Sequence, residues 1–327
     1  MYWVGSYMQK VRSQMSEKRI LITGGAGCLG SNLIERYLPQ NHEITVIDNF
    51  ETGKREVVPD VPGLTVVEGS IANLDLVQDV FRKYKPTHVI HSAAAYKDPK
   101  NWSEDVSTNV VGTINIAKVS LDYNIDRLIN FQTALCYGLP EQVPIPVDHQ
   151  TNPFTSYGIS KSAGEKYLMN SGLPVISLRL ANICGPRLAI GPIPTFYKRL
   201  KAEKSCFCSD TIRDFLDMSD FFALIDQLLN TDVSSGVFNV STGVGNSILD
   251  IYKLVAEYLN IDPPDVPIVP PGDDDVAAVV LDPAETERVF GWKAKIDFEN
   301  TIQRQLDWYE KYGVNDIYSH LSDPTSD

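Results

Sequence analysis

The stretch Arg19-Ile-Leu-Ile-Thr-Gly24-Gly25-Ala26-Gly27-Cys28-Leu29-Gly30 decides the fold of this chain. An apolar, β-branched run leads into glycines at 24, 27 and 30, and a helical pattern follows them. Such glycines permit a tight turn and a close approach of the backbone to a ligand, and the helix N-terminus offers amides and a positive dipole end to a pyrophosphate. The sequence therefore predicts a strand, a phosphate loop and a helix.

A second strand, Glu43-Ile-Thr-Val-Ile-Asp48, ends on an acid at the spacing of a ribose-binding carboxylate. Asp48 is predicted to accept hydrogen bonds from the adenosine ribose hydroxyls and to repel a 2′-phosphate, which favours NAD over NADP. Strand and helix patterns then alternate, which predicts an α/β fold with a Rossmann-like doubly wound parallel sheet. The further strands are predicted at 64–68, 87–91, 127–132 and 175–179, and helices at 74–83, 109–123 and 157–169.

The pattern becomes irregular after Gly185-Pro186, with short elements, proline-rich turns and an acidic loop at 263–275. We predict an N-terminal extension over 1–18, an NAD-binding Rossmann domain over 19–183, and a smaller mixed α/β substrate lobe over 184–327. Some segments of this lobe are expected to return to the Rossmann domain. The lobe would close over the carboxyl ends of the strands, where α/β sheets bind their ligands.

Composition fits a cytoplasmic enzyme. The 327 residues carry a net charge of −13, which argues against a nucleic-acid partner. No apolar run is long enough to cross a bilayer, and the first 19 residues lack the apolar segment and cleavage motif of a secretory signal. The five cysteines have no metal-ligand spacing, and we interpret them as reduced thiols. We therefore expect no metal and no membrane partner.

Tyr157 precedes Lys161 by four residues in a helical pattern. Residues four apart lie on one face of a helix, so the ammonium would lie beside the phenol and lower its pKa from about 10. Such a pair is often a plain surface pair, but here it follows a phosphate loop. A carbinol gives up hydride to NAD only if a base removes its hydroxyl proton, and Tyr157 is the candidate base.

Motifs from Arg19 onward make the chain resemble the extended short-chain dehydrogenase/reductases, and among them the NAD-dependent nucleotide-sugar epimerase/dehydratase family. Besides the glycine loop and the Tyr157/Lys161 pair, these motifs are Asp48-Asn49-Phe50-Glu51-Thr52-Gly53-Lys54, His91-Ser-Ala-Ala-Ala95, Asn109-Val-Val-Gly-Thr, Thr133-Ala-Leu-Cys-Tyr-Gly, Arg179-Leu-Ala-Asn182-Ile-Cys-Gly-Pro186, Arg213-Asp-Phe and Phe238-Asn-Val-Ser-Thr-Gly. The stretches Gly-Pro-Arg-Leu at 185–188 and Ala-Tyr-Lys-Asp-Pro at 95–99 look closest to UDP-sugar 4-epimerases of bacterial O-antigen sugar loci.

The resemblance implies a role for each matching residue. The implied catalytic residues are Thr133, Tyr157 and Lys161. The implied NAD-binding residues are Gly24, Gly27, Cys28, Leu29, Gly30, Asp48, Asn49, Gly53, Lys54, Ser70, Ile71, Ala93, Ala95, Asn109, Tyr157 and Lys161. The implied substrate-binding residues are Lys97, Thr133, Asn182, Arg187 and Arg213. The family also implies a homodimer, joined through a four-helix bundle of the helices at 109–123 and 157–169.

Three departures from the family pattern are informative. Ser70 stands where the family has an acid, just before the residue that packs on adenine. Cys28-Leu29 replace an aromatic residue and an isoleucine, but these positions bind pyrophosphate through backbone amides. An arginine is missing before the Pro-Gly-Asp motif, since the chain reads Pro270-Pro271-Gly272-Asp273. The diphosphate contact is therefore expected to shift to Arg187 or Lys198.

The residues after Thr133 distinguish the reaction types of this family. Dehydratases and decarboxylating relatives carry an acid there, and 3,5-epimerising relatives carry a cysteine at the Leu135 position. Ala134 and Leu135 can neither donate nor accept a proton, and strand alternation would point Cys136 to the opposite face. By elimination we predict 4-epimerisation, with a transient 4-keto intermediate. The resemblance implies that the substrate is a UDP-sugar and that the enzyme acts in lipopolysaccharide O-antigen precursor synthesis.

Val279 and Leu180-Ala181 replace larger residues of simple hexose epimerases, which predicts a roomy pocket for an N-acetylated hexosamine or its uronic acid. Two alternatives remain open. A nucleotide-sugar 4-reductase or dehydrogenase uses the same three catalytic residues, and a catalytically silent NAD-binding regulatory protein has the same fold.

Overall fold

The computed structural model describes residues 18–96, 98–262, 265–272 and 275–314. The predicted N-terminal extension, apart from Lys18, and the predicted substrate residue Lys97 lie outside the described residues.

Strands and helices alternate over the first part of the chain, as predicted. The strands are β1 (Arg19–Thr23), β2 (Glu43–Asp48), β3 (Leu64–Glu68), β4 (His88–His91), β5 (Arg127–Thr133), β6 (Val175–Leu180), β7 (Asn182–Cys184), β8 (Cys208–Ser209), β9 (Ile212–Arg213), β10 (Phe215–Asp217), β11 (Gly236–Val240), β12 (Asn246–Ser247), β13 (Ile268–Val269) and β14 (Ala278–Val279). The helices are α1 (Cys28–Tyr37), α2 (Leu74–Tyr84), α3 (Trp102–Asp105), α4 (Thr113–Asp122), α5 (Ser156–Met169), α6 (Pro192–Lys201), α7 (Met218–Leu228), α8 (Ile248–Tyr258), α9 (Ala284–Phe290) and α10 (Phe298–Tyr312). A π-helical turn, Val106–Gly112, joins α3 to α4.

Seven parallel strands form the central sheet in the order β3-β2-β1-β4-β5-β6-β11. The chain runs outward from β1 to β3 on one side, and from β4 to β6 on the other. The strand order therefore reverses between β1 and β4, and the carboxyl ends of these two strands form the crevice in which doubly wound sheets bind ligands. The predicted fold class is confirmed.

Apolar side chains from both faces of the sheet are covered by helices. One buried cluster joins the sheet to α1 and α7 and includes Leu33 and Phe221, and another joins it to α2 and α4 and includes Phe81 and Ile116. These buried faces explain why the strand patterns are almost continuously apolar.

A further buried cluster joins α6, α8 and α10, with Phe196, Tyr252 and Tyr309 among its members. Residues beyond 184 also return to the large sheet, because β11 pairs with β6 and Asp226 of α7 accepts a hydrogen bond from Arg36 Nε of α1 at 2.8 Å. The boundary between 183 and 184 stays a prediction.

The predicted helix over 109–123 is in fact a π-helical turn followed by α4. Two glycines allow the turn to pack closely. A Cβ atom at Gly164 of α5 would lie 2.5 Å from the Asn109 carbonyl oxygen, and one at Gly112 would lie 2.5 Å from the Ile71 side chain. The turn is therefore set by contacts with distant segments, which a local helical pattern does not reveal. Across the described ranges, no helix has both the length and the apolar content that a membrane span needs.

Candidate active site

A cavity of about 990 Å³ lies at the carboxyl ends of the central strands. Residues from the whole sequence, from the glycine loop to β14, meet in its wall. The predicted site residues in this wall are Gly24, Gly27, Cys28, Leu29, Asp48, Asn49, Ser70, Ile71, Ala93, Ala95, Thr133, Tyr157, Lys161, Asn182 and Arg213. The cavity coincides with the crevice between β1 and β4, so the sheet topology accounts for its position.

Gly30, Gly53, Lys54 and Asn109 lie behind this wall. A Cβ atom at Gly30 would collide with the Gly24 carbonyl oxygen, and one at Gly53 would lie 2.8 Å from Ala26. The Lys54 amide donates to the Ala26 carbonyl at 3.3 Å. Gly30, Gly53 and Lys54 thus shape the glycine loop through backbone packing.

Asp48 is almost fully buried at the end of β2. Its Oδ2 accepts a hydrogen bond from the Ala26 amide at 2.8 Å, and its Oδ1 accepts one from the Phe50 amide at 2.8 Å. An ionised carboxylate has about four lone-pair sites, so two remain for hydroxyl groups of a ligand. The structure fits the predicted contact with a ribose.

The N-terminus of α1 faces the same cavity. Gly27 caps this helix without a side-chain hydrogen bond, and the first turn carries no acidic residue. The Cys28 and Leu29 positions lie in the wall. Free amides at a helix N-terminus attract anions, so this loop and Asp48 together fit a dinucleotide.

Asn109 connects the loop after β4 to the helix α5. Its side-chain amide donates to the Ala95 carbonyl at 2.8 Å and to Ser160 Oγ at 3.0 Å, and its Oδ1 accepts from the Ala95 amide at 2.9 Å. Ser160 in turn donates to the Tyr157 carbonyl at 3.0 Å. Asn109 therefore positions both the cofactor-facing loop and the start of α5.

His91 extends this network to β1. Thr113 uses its only hydroxyl proton to donate to the Asn109 carbonyl at 2.8 Å, so His91 Nε2 must donate to Thr113 Oγ1 at 2.9 Å. His91 Nδ1 then accepts from Thr23 Oγ1 at 2.7 Å. Burial lowers the pKa of His91 to about 3, and the charge of Lys161 adds to this effect. The imidazole is thus neutral, in a single tautomer.

Thr133, Tyr157 and Lys161 all line the cavity, from the end of β5 and from α5. A residue that the sequence analysis missed, Gln132, lies between them. Its Nε2 donates to the Lys161 carbonyl at 2.9 Å, and its Oε1 accepts from the Thr133 amide at 2.8 Å. The available signal was a polar residue in a buried strand, directly before Thr133.

Burial dominates the ionisation of Tyr157 and Lys161. It raises the pKa of Tyr157, with Tyr96 and Asp105 adding to the effect, and the Tyr96 ring lies 6.1 Å from the Tyr157 ring. It lowers the pKa of Lys161 to about 8, while Glu165 opposes this shift. The prediction that Lys161 lowers the phenol pKa is wrong for the protein alone, because desolvation penalises both charged forms.

The chain turns sharply after Thr133. Ala134–Tyr137 form a 3-10 turn, in which the Leu135 amide donates to Thr133 Oγ1 at 3.2 Å. The strand alternation assumed for Cys136 is therefore wrong. Ala134 and Leu135 line the cavity, whereas Cys136 is buried outside the wall, where burial raises the pKa of its thiol to about 12.

The predicted diphosphate residues separate into two groups. Asn182 and Arg213 lie in the wall. Arg187 lies outside it, because its guanidinium pairs with Glu35 and donates to Asn32 Oδ1. Lys198 is exposed on α6, also outside the wall. The expectation that Arg187 or Lys198 replaces the missing family arginine stays a prediction, and neither side chain lies in the wall.

Comparisons with known proteins agree with this geometry. A family model described as "NAD dependent epimerase/dehydratase family" matches residues 20–241. A putative UDP-glucose 4-epimerase of Methanocaldococcus jannaschii is 28% identical over 305 residues, covering 88% of this chain and 97% of the relative.

Solved structures provide closer neighbours. The Bordetella bronchiseptica enzyme WbmG in complex with NAD is 65% identical, with a TM-score of 0.90, and covers 94% of this chain and 99% of its own. Its complex with NAD and UDP matches at 64% identity, with the same TM-score and coverage. WbmH of the same organism, in complex with NAD+, is 39% identical with a TM-score of 0.85, covering 91% and 100% of the two chains.

Replacing Lys161 with Met should stabilise the nucleotide-free protein at pH 7 while abolishing turnover. The fall in the pKa of Lys161 from 10.5 to about 8 corresponds to roughly 3 kcal/mol of destabilisation when the buried group is charged. The wild-type free energy of unfolding should rise from pH 8 to pH 10.5, so the advantage of Lys161→Met should shrink over that range. Urea unfolding of both proteins at pH 7 and pH 10 measures this advantage. A Lys161→Met protein that is less stable than the wild type by the same amount at both pH values would contradict the prediction.

Asp48 should make NADP bind at least ~10-fold more weakly than NAD, because the 2′-phosphate would face a buried carboxylate. Calorimetry on the nucleotide-free protein measures both affinities. Asp48→Asn removes the charge and keeps the size, so it should narrow the difference between the two cofactors. Equal affinities in the wild-type protein would show that Asp48 does not face the ribose.

Proposed function

The chain belongs to the NAD dependent epimerase/dehydratase family, and we propose that it is a UDP-sugar 4-epimerase with NAD as its cofactor. The proposal depends on which side chains lie beside Thr133 in the cavity wall. Ala134 and Leu135 occupy the positions from which an acid or a thiol would direct other chemistry, while Thr133, Tyr157 and Lys161 share the same cavity. Curated relatives named UDP-glucose 4-epimerase and the neighbouring complex with NAD and UDP support this assignment.

Bound NAD would supply the hydride acceptor and donor, and its oxidised nicotinamide a positive charge that favours the phenolate. Tyr157 would take the proton from the C4 hydroxyl, and Thr133 would share a hydrogen bond with the same oxygen. Lys161 would bind the nicotinamide ribose and stabilise the ionised phenol. Burial, with smaller contributions from Tyr96 and Asp105, raises the pKa of Tyr157, so the phenol would ionise only when positive charge lies beside it.

Tyr157 would then return the proton to the oxygen at C4 of the 4-keto sugar, once the sugar has turned over in its pocket. Gln132 would keep Thr133 and Lys161 in register during both steps, because it is hydrogen-bonded to the backbone of each. The side chains of Ala134 and Leu135 would offer no proton donor or acceptor to C5 or C6. The chemistry would therefore be limited to one carbinol.

We propose an N-acetylated hexosamine, or its uronic acid, as the sugar. Val279, Leu180 and Ala181 lie in the wall, and their modest size leaves room for substituents. The resemblance to O-antigen enzymes at 95–99 and 185–188 favours a role in lipopolysaccharide O-antigen precursor synthesis. We place the protein in the cytoplasm, because its five cysteines are free thiols.

A homodimer is part of the proposal. Large apolar side chains are exposed on the π-helical turn, α4 and α5, including Val106, Leu121, Ile159 and Tyr167. Exposed apolar side chains on adjacent helices favour an interface between protein chains. Two such helix pairs would form the predicted four-helix bundle.

Turnover in heavy water should give a product without carbon-bound deuterium. Hydride that bound NAD takes from C4 and returns would not exchange with solvent, whereas a dehydratase would incorporate solvent deuterium at C5 and a 3,5-epimerase at C3 or C5. UDP-GlcNAc, UDP-GalNAc and their uronic acids are incubated without added cofactor, with the C4 configuration followed by NMR and deuterium by mass spectrometry. Ring-carbon deuterium would falsify the assignment.

Tyr157→Phe is the matched control for this experiment. It should lower kcat at least ~100-fold, the usual scale for a lost general base, with bound NAD retained. A requirement for stoichiometric reduced cofactor, with release of a one-way product, would instead identify a 4-reductase. Absence of turnover on every UDP-sugar, with NAD bound, would favour a regulatory protein.

Ile159→Glu should convert the dimer into monomers, because a charge would be buried in the apolar interface. Ile268→Glu is the matched control, since Ile268 is 56% exposed and belongs to β13, which pairs with β8 and not with these helices. Sedimentation of the two NAD-loaded variants measures the mass of each. If the Ile159→Glu variant is still a dimer, the dimer interface lies on another part of the surface.

A further inference from the structure

Asp105, the last residue of α3, is an acid that the proposed reaction does not use. It belongs to the cavity wall, yet only 2% of its surface is exposed. Its Oδ2 accepts a hydrogen bond from Ser156 Oγ at 2.5 Å, and Ser156 directly precedes Tyr157 at the start of α5. We infer that Asp105 is a further substrate-binding residue, whose carboxylate accepts a hydrogen bond from a hydroxyl or amide N–H group of the sugar. This inference rests on the proposed function.

The fold holds the Asp105 side chain beside the catalytic helix. Asn101 caps α3, because its Oδ1 accepts a hydrogen bond from the Glu104 amide at 3.2 Å. The π-helical turn that follows Asp105 packs closely against α5, where Gly164 has no side chain to separate the two backbones. The hydrogen bond between Asp105 and Ser156 ties α3 to the first residue of the same helix. The position of the carboxylate is therefore set from both of its ends.

The charge of Asp105 acts on the catalytic tyrosine. Burial raises the pKa of Tyr157, and Tyr96 and Asp105 add to this rise. For Lys161, in contrast, the acid that shifts the pKa is Glu165. Asp105 and Tyr157 both line the cavity. A sugar whose C4 hydroxyl reaches Tyr157 would therefore also lie close to the Asp105 carboxylate.

The Asp105 carboxylate has lone pairs left for a ligand. An ionised carboxylate has about four lone-pair sites, and in the described part of the chain Ser156 is the one hydrogen-bond partner of this side chain. Burial raises the pKa of Asp105 and Glu104 and Asp98 add to this effect, whereas the bond from Ser156 opposes it. When a sugar displaces water from the cavity, a carboxylate that stays unpaired costs free energy. A hydrogen-bond donor on the sugar would remove that cost.

The two neighbouring acids of the wall differ from Asp105. Glu104 Oε1 already accepts a hydrogen bond from Thr108 Oγ1 at 3.0 Å, and Asp98 is exposed. Asp105 is the acid whose charge contributes to the pKa of Tyr157. Glu104, one residue away, therefore offers a control that carries the same charge without the same contact.

Two other roles for Asp105 predict different results. If Asp105 only anchored α5 through Ser156, removing the Ser156 hydroxyl would have the same effect as removing the carboxylate charge. If Asp105 were protonated and donated a hydrogen bond to the sugar, an asparagine would replace it well, because the side-chain amide of asparagine also donates.

The experiment is calorimetric titration of UDP and of UDP-GlcNAc into NAD-loaded proteins. All of them carry Tyr157→Phe, so that the sugar is not turned over during the titration. Asp105→Asn keeps one oxygen for Ser156 but turns an amide donor towards the sugar. It should raise the Kd for UDP-GlcNAc at least ~10-fold and leave the Kd for UDP unchanged, because UDP lacks the hexose.

Two variants serve as controls. Glu104→Gln removes the same charge from the neighbouring residue, and Ser156→Ala removes the anchor but keeps the Asp105 carboxylate. Both should leave the Kd for UDP-GlcNAc close to that of the parent protein. UDP-glucose, which has a hydroxyl in place of the acetamido group, identifies the donor. A loss of affinity for both sugars assigns a hydroxyl, and a loss confined to UDP-GlcNAc assigns the amide.

An unchanged Kd for UDP-GlcNAc in Asp105→Asn overturns the inference. So does a loss that Glu104→Gln or Ser156→Ala reproduces in full, or a loss of the same size for UDP. A parent protein that fails to bind UDP-GlcNAc overturns the proposed hexosamine substrate, and the inference with it. Thermal unfolding and NAD content show that each variant is folded.

Discussion

The site depends on one buried chain of hydrogen bonds that joins the first strand to the catalytic helix. It runs from Thr23 through His91 and Thr113 to Asn109, and from Asn109 through Ser160 to the backbone of α5. Each member is buried, so an unpaired group would carry a desolvation penalty of about 1–3 kcal/mol. The neutral imidazole is essential, because a protonated ring could not accept the bond from Thr23. These hydrogen bonds therefore hold the cofactor-facing loop and the helix that carries Tyr157 in a fixed position relative to each other.

Burial and charge oppose each other at both ends of the cavity. At the catalytic end, desolvation raises the pKa of Tyr157 and lowers that of Lys161 to about 8, so at pH 7 the phenol is neutral and the ammonium still carries its charge at a cost in stability. At the other end, burial lowers the pKa of Arg213 and Asp275 opposes that shift. In both places burial penalises the charged form of a cation that faces the cavity.

The reaction proposed here follows from a change in backbone direction as much as from side-chain chemistry. Because the chain leaves β5 in a 3-10 turn, Ala134 and Leu135 both reach the wall and Cys136 does not. A strand continuing straight would have alternated these side chains between the two faces. The 3-10 turn therefore accounts both for the apolar side chains of Ala134 and Leu135 in the wall and for the absence of the Cys136 thiol from it.

The sequence by itself determined the fold class, the bounds of β1 to β6 to within one residue, and the cofactor loop with Asp48. These features follow from local patterns, since apolar runs predict the strands and the spacing of the glycines predicts the phosphate loop. The convergence of Thr133, Tyr157 and Lys161 in one cavity was also expected, because carboxyl ends of parallel strands meet at one edge. Their catalytic roles remain predictions.

Only the tertiary structure decided the features that arise from contacts between distant segments. Gln132 acquires its position between Thr133 and Lys161 because α5 packs against β5. The ion pairs of Arg187 and Arg213 each join residues more than 60 positions apart in the chain. The pKa values depend on burial, which is a property of the folded chain and not of residue spacing. Local sequence thus sets the elements, and packing sets which of their charged groups face the ligand.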